Sequence, residues 1–107
     1  MATMTVFGRL GRDAELRTIP SGSKVCSFAL AYNYGRKDES GERPTQWVRA
    51  SLWGQRAESL CQYLVKGTPV VVTLEDPHIR EYEKDGKTSA TLEGTVLAIE
   101  FAGKAPE

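Results

Sequence analysis

The chain has very little of what most enzymes and most extracellular domains are built from. It holds one histidine, His78, and two cysteines, Cys26 and Cys61. No second Cys or His stands near either cysteine at metal-ligand spacing, so neither a zinc site nor a disulfide framework is indicated. Both cysteines read as small buried hydrophobes in a reducing compartment. No P-loop, no GxGxxG and no paired carboxylates at defined strand ends accompany His78, so catalysis is the weakest class of function and no cofactor is implied. No apolar run approaches the roughly 20 residues needed to span a bilayer, and Met1 to Thr5 lacks the pattern of a signal peptide. A cytoplasmic protein without membrane contact is expected. Net charge is lacking too: 14 basic side chains balance 14 acidic ones.

The balance hides an asymmetry. Residues 1–56 carry nine basic and five acidic side chains, and residues 57–107 carry five and nine, so a polyanion-facing surface is favoured on the first half. At 107 residues the chain suffices for one compact domain, and 40% hydrophobic with 26% charged residues is a globular composition.

The stretch that organises the rest is Gln46 to Trp53, QWVRASLW. Extended, it places Trp47, Arg49, Ser51 and Trp53 on one face and Val48, Ala50 and Leu52 on the other. The aliphatic face suits a core; two indoles around a guanidinium suit a flat ligand. A strand slipped by one residue would reverse the faces and leave Val48 and Leu52 exposed.

Around it the patterns are mostly those of strands. MTVFGRLG alternates, with Met4, Val6, Gly8 and Leu10 on one side, and Gly8 and Gly11 suggest bends or a bulge. RDAELRTIPSGSK carries a short extended piece from Leu16 to Ile19 and a Pro20-Ser21-Gly22 turn. Lys24 to Tyr34 alternates over a length that suits a coiled barrel strand. GRKDESGERP reads as a long exposed hairpin loop. Gln55 to Lys66 turns helical, with Ala57, Leu60, Cys61 and Leu64 on one stripe and Gly67 as the stop. Pro69 to Leu74 is a β-branched strand, EDPHI interrupts it, and a hairpin follows around Asp85-Gly86, closing with Thr88 to Phe101. Five or six strands with one helix between the third and fourth fit an all-β, five-stranded Greek-key barrel of the OB type. The expected domain is 1–103, with 104–107 a short polar C-terminus.

Aromatic rings stack on bases without sequence choice, and interleaved Arg and Lys track phosphates. Trp47, Arg49 and Trp53 have that interleaving. Tyr82 lies beside Arg80 on the later hairpin, and Tyr34 opens the loop carrying Arg36 and Lys37. Tyr82 could equally be a cross-strand pair member, and Arg36, Lys37 and Arg43 could be a solvated mixed-charge loop.

These residues resemble the bacterial-type single-stranded DNA-binding proteins. The likeness runs from about Thr5 to Phe101 through GRLGRDAELR, SGSKVCSFALA, TQWVRASLWGQRAE, YLVKGTPV and IREYEKDGK. It implies an OB-fold that binds single-stranded DNA in replication, recombination or repair, as a homotetramer or a dimer, with the first strand making subunit contacts. It implies stacking by Trp47, Trp53, Tyr82 and, more loosely, Tyr34. It puts Arg49, Arg80, Lys66 and Arg17 on the DNA path. Val48 stands where many members carry a histidine tied to subunit contacts, and Gln55 and Glu81 replace frequent lysines. Cellular members of the family carry a long acidic-tipped tail, and this sequence stops at Glu107; it is either a truncated chain or a specialised tail-less relative, of phage, mobile-element or primosomal type, and is expected to bind DNA without tail-dependent partners. Two alternatives remain open: a dimeric primosomal accessory protein of the same fold, and an OB module for protein or oligosaccharide.

Overall fold

A computed structural model describes residues 1–104; apart from Lys104, the expected polar C-terminus lies outside the described residues. The elements are β1 (Thr3–Leu10), β2 (Glu15–Thr18), β3 (Lys24–Asn33), β4 (Thr45–Trp53), α1 (Gln55–Leu60), a 3-10 turn (Cys61–Tyr63), β5 (Pro69–Lys84) and β6 (Lys87–Phe101). The strands order β1-β5-β6-β4-β3-β2, and a further β1–β3 pairing at Arg9↔Ala31 and Leu10↔Leu30 closes the ring. Five strands therefore form the barrel, and β2 is a short addition to the outer edge of β3. All pairings are antiparallel except β4 with β6.

Alternation sets which faces fill the barrel. Val6 and Leu10 of β1, Cys26, Phe28 and Leu30 of β3, Val48, Ala50 and Leu52 of β4, and Val70, Val72 and Leu74 of β5 are all buried, joined by Val96 of β6. In β4 this is the unslipped register. A slip by one would move Val48 and Leu52 into water at about 2 kcal/mol each, while forcing two indoles and a guanidinium inside.

Close backbone approaches fall where the sequence has glycine. A Cβ on Gly8 would stand 2.8 Å from the Ala31 carbonyl oxygen, across the β1–β3 closure. The Asp85-Gly86 turn has φ of 54° and 75°, the double left-handed geometry of a type I′ hairpin, and it leads straight from Lys84 to its partner Lys87.

Two expectations are corrected. The helix ends at Leu60, six residues short of Lys66, and a single 3-10 turn follows. Leu64 keeps its place in the core, but the chain there is drawn toward the β1–β2 connection. Ala14 N–H donates to Leu64 O at 2.8 Å, Lys66 N–H to Asp13 Oδ1 at 2.8 Å, and Gly67 N–H to Leu10 O at 2.8 Å. Those bonds satisfy backbone groups that a longer helix would have used internally. Second, EDPHI does not end a strand. β5 runs unbroken for 16 residues, and the segment is absorbed as a bulge between Glu75 and His78, with Asp76 at φ 52°.

The capping segment α1 buries Ala57, and the Arg56 guanidinium donates to Leu97 O at 3.0 Å and Val96 O at 3.1 Å, which ties the helix to β6. The two cysteines, read as separate core residues, meet here. Both are free, and their Sγ atoms are 2.8 Å apart. Among the described residues no helix is long and apolar enough to cross a membrane.

Candidate nucleic-acid interface

The outward face of β4 carries Trp47 and Trp53, 51% and 43% exposed, with Arg49 between them. Indoles left half in water on a rigid strand are not serving the core, whose side of the same strand is already filled. Trp47 does not stand free. Its six-membered ring rests where a Cβ on Gly11 would be, so the residue after β1 forms the floor beneath it.

The sheet carries this face sideways through its register. Arg49 is level with Glu93 of β6, and Glu93 with His78 of β5. Two and four residues beyond His78 on the same face come Arg80, opposite Thr91, and Tyr82, opposite Ser89. Arg49, Arg80, Tyr82, Thr91 and Glu93 line one open groove, and Tyr82 is 46% exposed. On the other side, Arg17 of β2 is level with Val25, and Val25 with Trp53. A depression of about 280 Å³ gathers Arg17, Arg49 and Arg80 with Glu15, Ser27, Ser51 and Glu93.

Three guanidiniums thus converge beside the tryptophans. Among the described residues the one ion pair is His78 Nε2 to Glu93 Oε2, at 3.9 Å, so none of the three arginines is committed to a carboxylate. His78 Nδ1 lies 2.8 Å from Asp76 O, which holds the ring at the bulge. It has a place in an irregular strand, beside the bulge of β5. No group of three or more His, Cys, Asp or Glu able to hold a metal occurs among the described residues.

The remaining residues singled out from the sequence are dispersed. Tyr34, 48% exposed, follows β3 and is fixed by its N–H donating to Pro44 O at 3.0 Å. Arg36 and Lys37 are exposed in the loop beyond it, where Lys37 borders a second depression with Asn33 and Arg43. Asp38 organises that loop. Its carboxylate accepts from Ser40 Oγ at 2.6 Å and from the Ser40 and Glu42 amides, each at 2.9 Å. These bonds, led by the Ser40 hydroxyl, hold its pKa below the ordinary value. Lys66 is exposed in the turn after Leu64 and does not join the arginine groove.

Gly11, Glu15 and Glu93 belong to this surface and were not foreseen. The glutamates enter it through β2 pairing and through the parallel β4–β6 contact, neither of which leaves a local pattern.

A closed five-stranded barrel with a capping helix and an aromatic, basic outer face defines the OB class of ligand-binding barrels. The chain belongs to the single-strand binding protein family, whose description it matches over residues 1–102. It is 41% identical over 70 residues to single-stranded DNA-binding protein 1 of Streptococcus agalactiae, an alignment covering 65% of this chain and 43% of that protein. The single-stranded DNA-binding proteins of Treponema pallidum and Bacillus cereus are 34% and 33% identical, over 94% of this chain and 57% and 59% of theirs. The chain spans about half the length of the curated relatives it matches.

Proposed function

We propose that residues 1–103 act as one unit that binds single-stranded DNA with little sequence preference, keeping it unpaired in replication, recombination or repair, and that no reaction is catalysed. The observation that carries this is the outer face of β4, where two half-exposed tryptophans flank Arg49 on a surface continuous with Arg80 and Tyr82. Bases stack on Trp47, Trp53 and Tyr82, and phosphates meet Arg49, Arg80 and Arg17. Tyr34 adds a stacking ring at the loop base. Arg36, Lys37 and Lys66 lie apart from the groove and serve only a strand long enough to wrap the barrel. Family membership and the names of the relatives support the reading. The site of action is the cytoplasm, on exposed DNA of the nucleoid.

The test is titration of oligo-dT against tryptophan fluorescence. Strong quenching at low salt that weakens as salt rises is expected; no quenching at low salt overturns the proposal.

The assembled form is a homotetramer. Supporting this, β1 pairs with β3 only at Arg9 and Leu10, so one edge of Thr3 to Gly8 is open to another chain, and Phe7 is 60% exposed beside it. Light scattering on a sizing column should give a tetramer's mass. A dimer would favour the primosomal alternative, and a monomer would overturn self-assembly.

A further inference from the structure

We propose that Cys26 and Cys61 are a built-in oxidation site: hydrogen peroxide converts them to an intramolecular disulfide that pins the capping segment to the barrel wall. The two thiols are 35 positions apart in sequence, yet Cys26 Sγ and Cys61 Sγ are 2.8 Å apart where the 3-10 turn packs on β3. Cys26 is wholly buried and Cys61 only partly so. That division assigns the roles. Burial, with the neighbouring thiol, pushes the Cys26 thiol far above its ordinary pKa, so it stays protonated and out of reach of solutes. Cys61 is the group an oxidant meets first.

The chemistry balances in two steps. The Cys61 thiolate attacks one peroxide oxygen and the other leaves as water after taking a proton, giving a sulfenic acid on Cys61. Cys26 sulfur then attacks Cys61 sulfur, the S–O bond breaks, and the departing hydroxide takes the Cys26 proton to leave as a second water. Peroxide is reduced, and the dithiol is oxidised by two electrons. Because the resolving thiol is already in contact, ring closure outruns both further oxidation of Cys61 and its coupling to the Cys61 of another chain.

The consequence is mechanical. The bond closes a covalent loop from β3 through β4 to the capping turn, a stretch that contains Trp47, Arg49 and Trp53. It reinforces a cap otherwise tied by Arg56 to β6 and by Ala14 to Leu64. A loop of this length restricts the unfolded chain strongly, so Tm should rise by roughly 10 °C.

The test starts from reduced protein freed of dithiothreitol and exposed to a small excess of hydrogen peroxide. Expected are a mass lower by two hydrogens, no alkylation of the unfolded product, one peptide pair joined through Cys26 and Cys61, a monomeric band on a non-reducing gel, and a raised Tm that dithiothreitol restores. Cys61 recovered as sulfinic acid with Cys26 still alkylatable overturns the proposal, as does a chain-to-chain disulfide. Cys26→Ser should carry Cys61 on to sulfinic acid and show no rise in Tm; a rise equal to that of the unchanged protein overturns the assignment. Should that variant fail to fold, the peptide map of the unchanged protein decides alone.

Discussion

Trp47 lies against Gly11, with ring atom Cη2 only 2.5 Å from where a Cβ on that glycine would stand. No φ between +20° and +160° is recorded at Gly11, so it is the absence of a side chain, and not an unusual backbone, that matters there. Gly11→Ala should displace the indole without unfolding the barrel, because the ring is half in water and free to move. The expected loss is about that of one stacked base, 1–3 kcal/mol of affinity for oligo-dT. Fluorescence titration in a Trp53→Phe background, where Trp47 is the sole indole, measures it. Unchanged affinity would mean that the glycine does not seat the ring.

The two faces of β4 should respond oppositely to truncation. Leu52→Ala removes a fully buried side chain and should cost about 2–5 kcal/mol of stability in denaturant unfolding. Trp53→Ala, one residue on, should cost less than about 1 kcal/mol of stability and yet lose about 1–3 kcal/mol of affinity, alike for dT, dC and dA oligomers. A loss confined to one base would argue against stacking as the source of binding.

Arg49 and Glu93, level with each other across β4 and β6, should act in opposite directions on phosphate binding. Arg49→Gln is expected to lower the slope of log K against log salt by about one contact. Glu93→Gln removes a negative charge from the same groove and should tighten binding at low salt, with the gain fading as screening increases. Tighter binding on losing Arg49, or weaker binding on losing Glu93 with the fold intact, would place the phosphates elsewhere.

The β4 faces were legible because period-two alternation is local, and only one register buries Val48 and Leu52. The Asp85-Gly86 turn was legible for a similar reason, since few residue pairs tolerate two left-handed positions. What escaped was set by distant partners. The helix stops at Leu60 because Leu64 to Gly67 bond to Leu10, Asp13 and Ala14, residues 50 or more positions away. EDPHI looks like a break, yet β6 supplies enough pairing on both sides to carry the strand through a bulge. Lys66 shows the limit for charged residues: its place near a glycine turn was readable, but its distance from the arginine groove was not. The cysteines show it for contacts, since nothing in their spacing indicates that one turn of 3-10 helix sets Cys61 against Cys26.

The loop between β3 and β4 should be the first part to loosen in acid, through Asp38. Its carboxylate accepts three hydrogen bonds within the loop, and its pKa is depressed relative to the unfolded chain. A depressed value means the ordering is fully present above the unfolded pKa of 3.8 and is lost as pH falls through the folded value. The amide resonances of Ser40 and Glu42 should therefore titrate together with a midpoint below 3.8, while the amides of Val48 and Leu52 hold. Asp38→Ala should remove that transition and leave the loop disordered at neutral pH. Because Arg36 and Lys37 ride on this loop, the same variant should weaken binding to long strands more than to short ones that reach only the β4 face. Equal losses for both lengths would show that the loop's charge acts on the central groove itself.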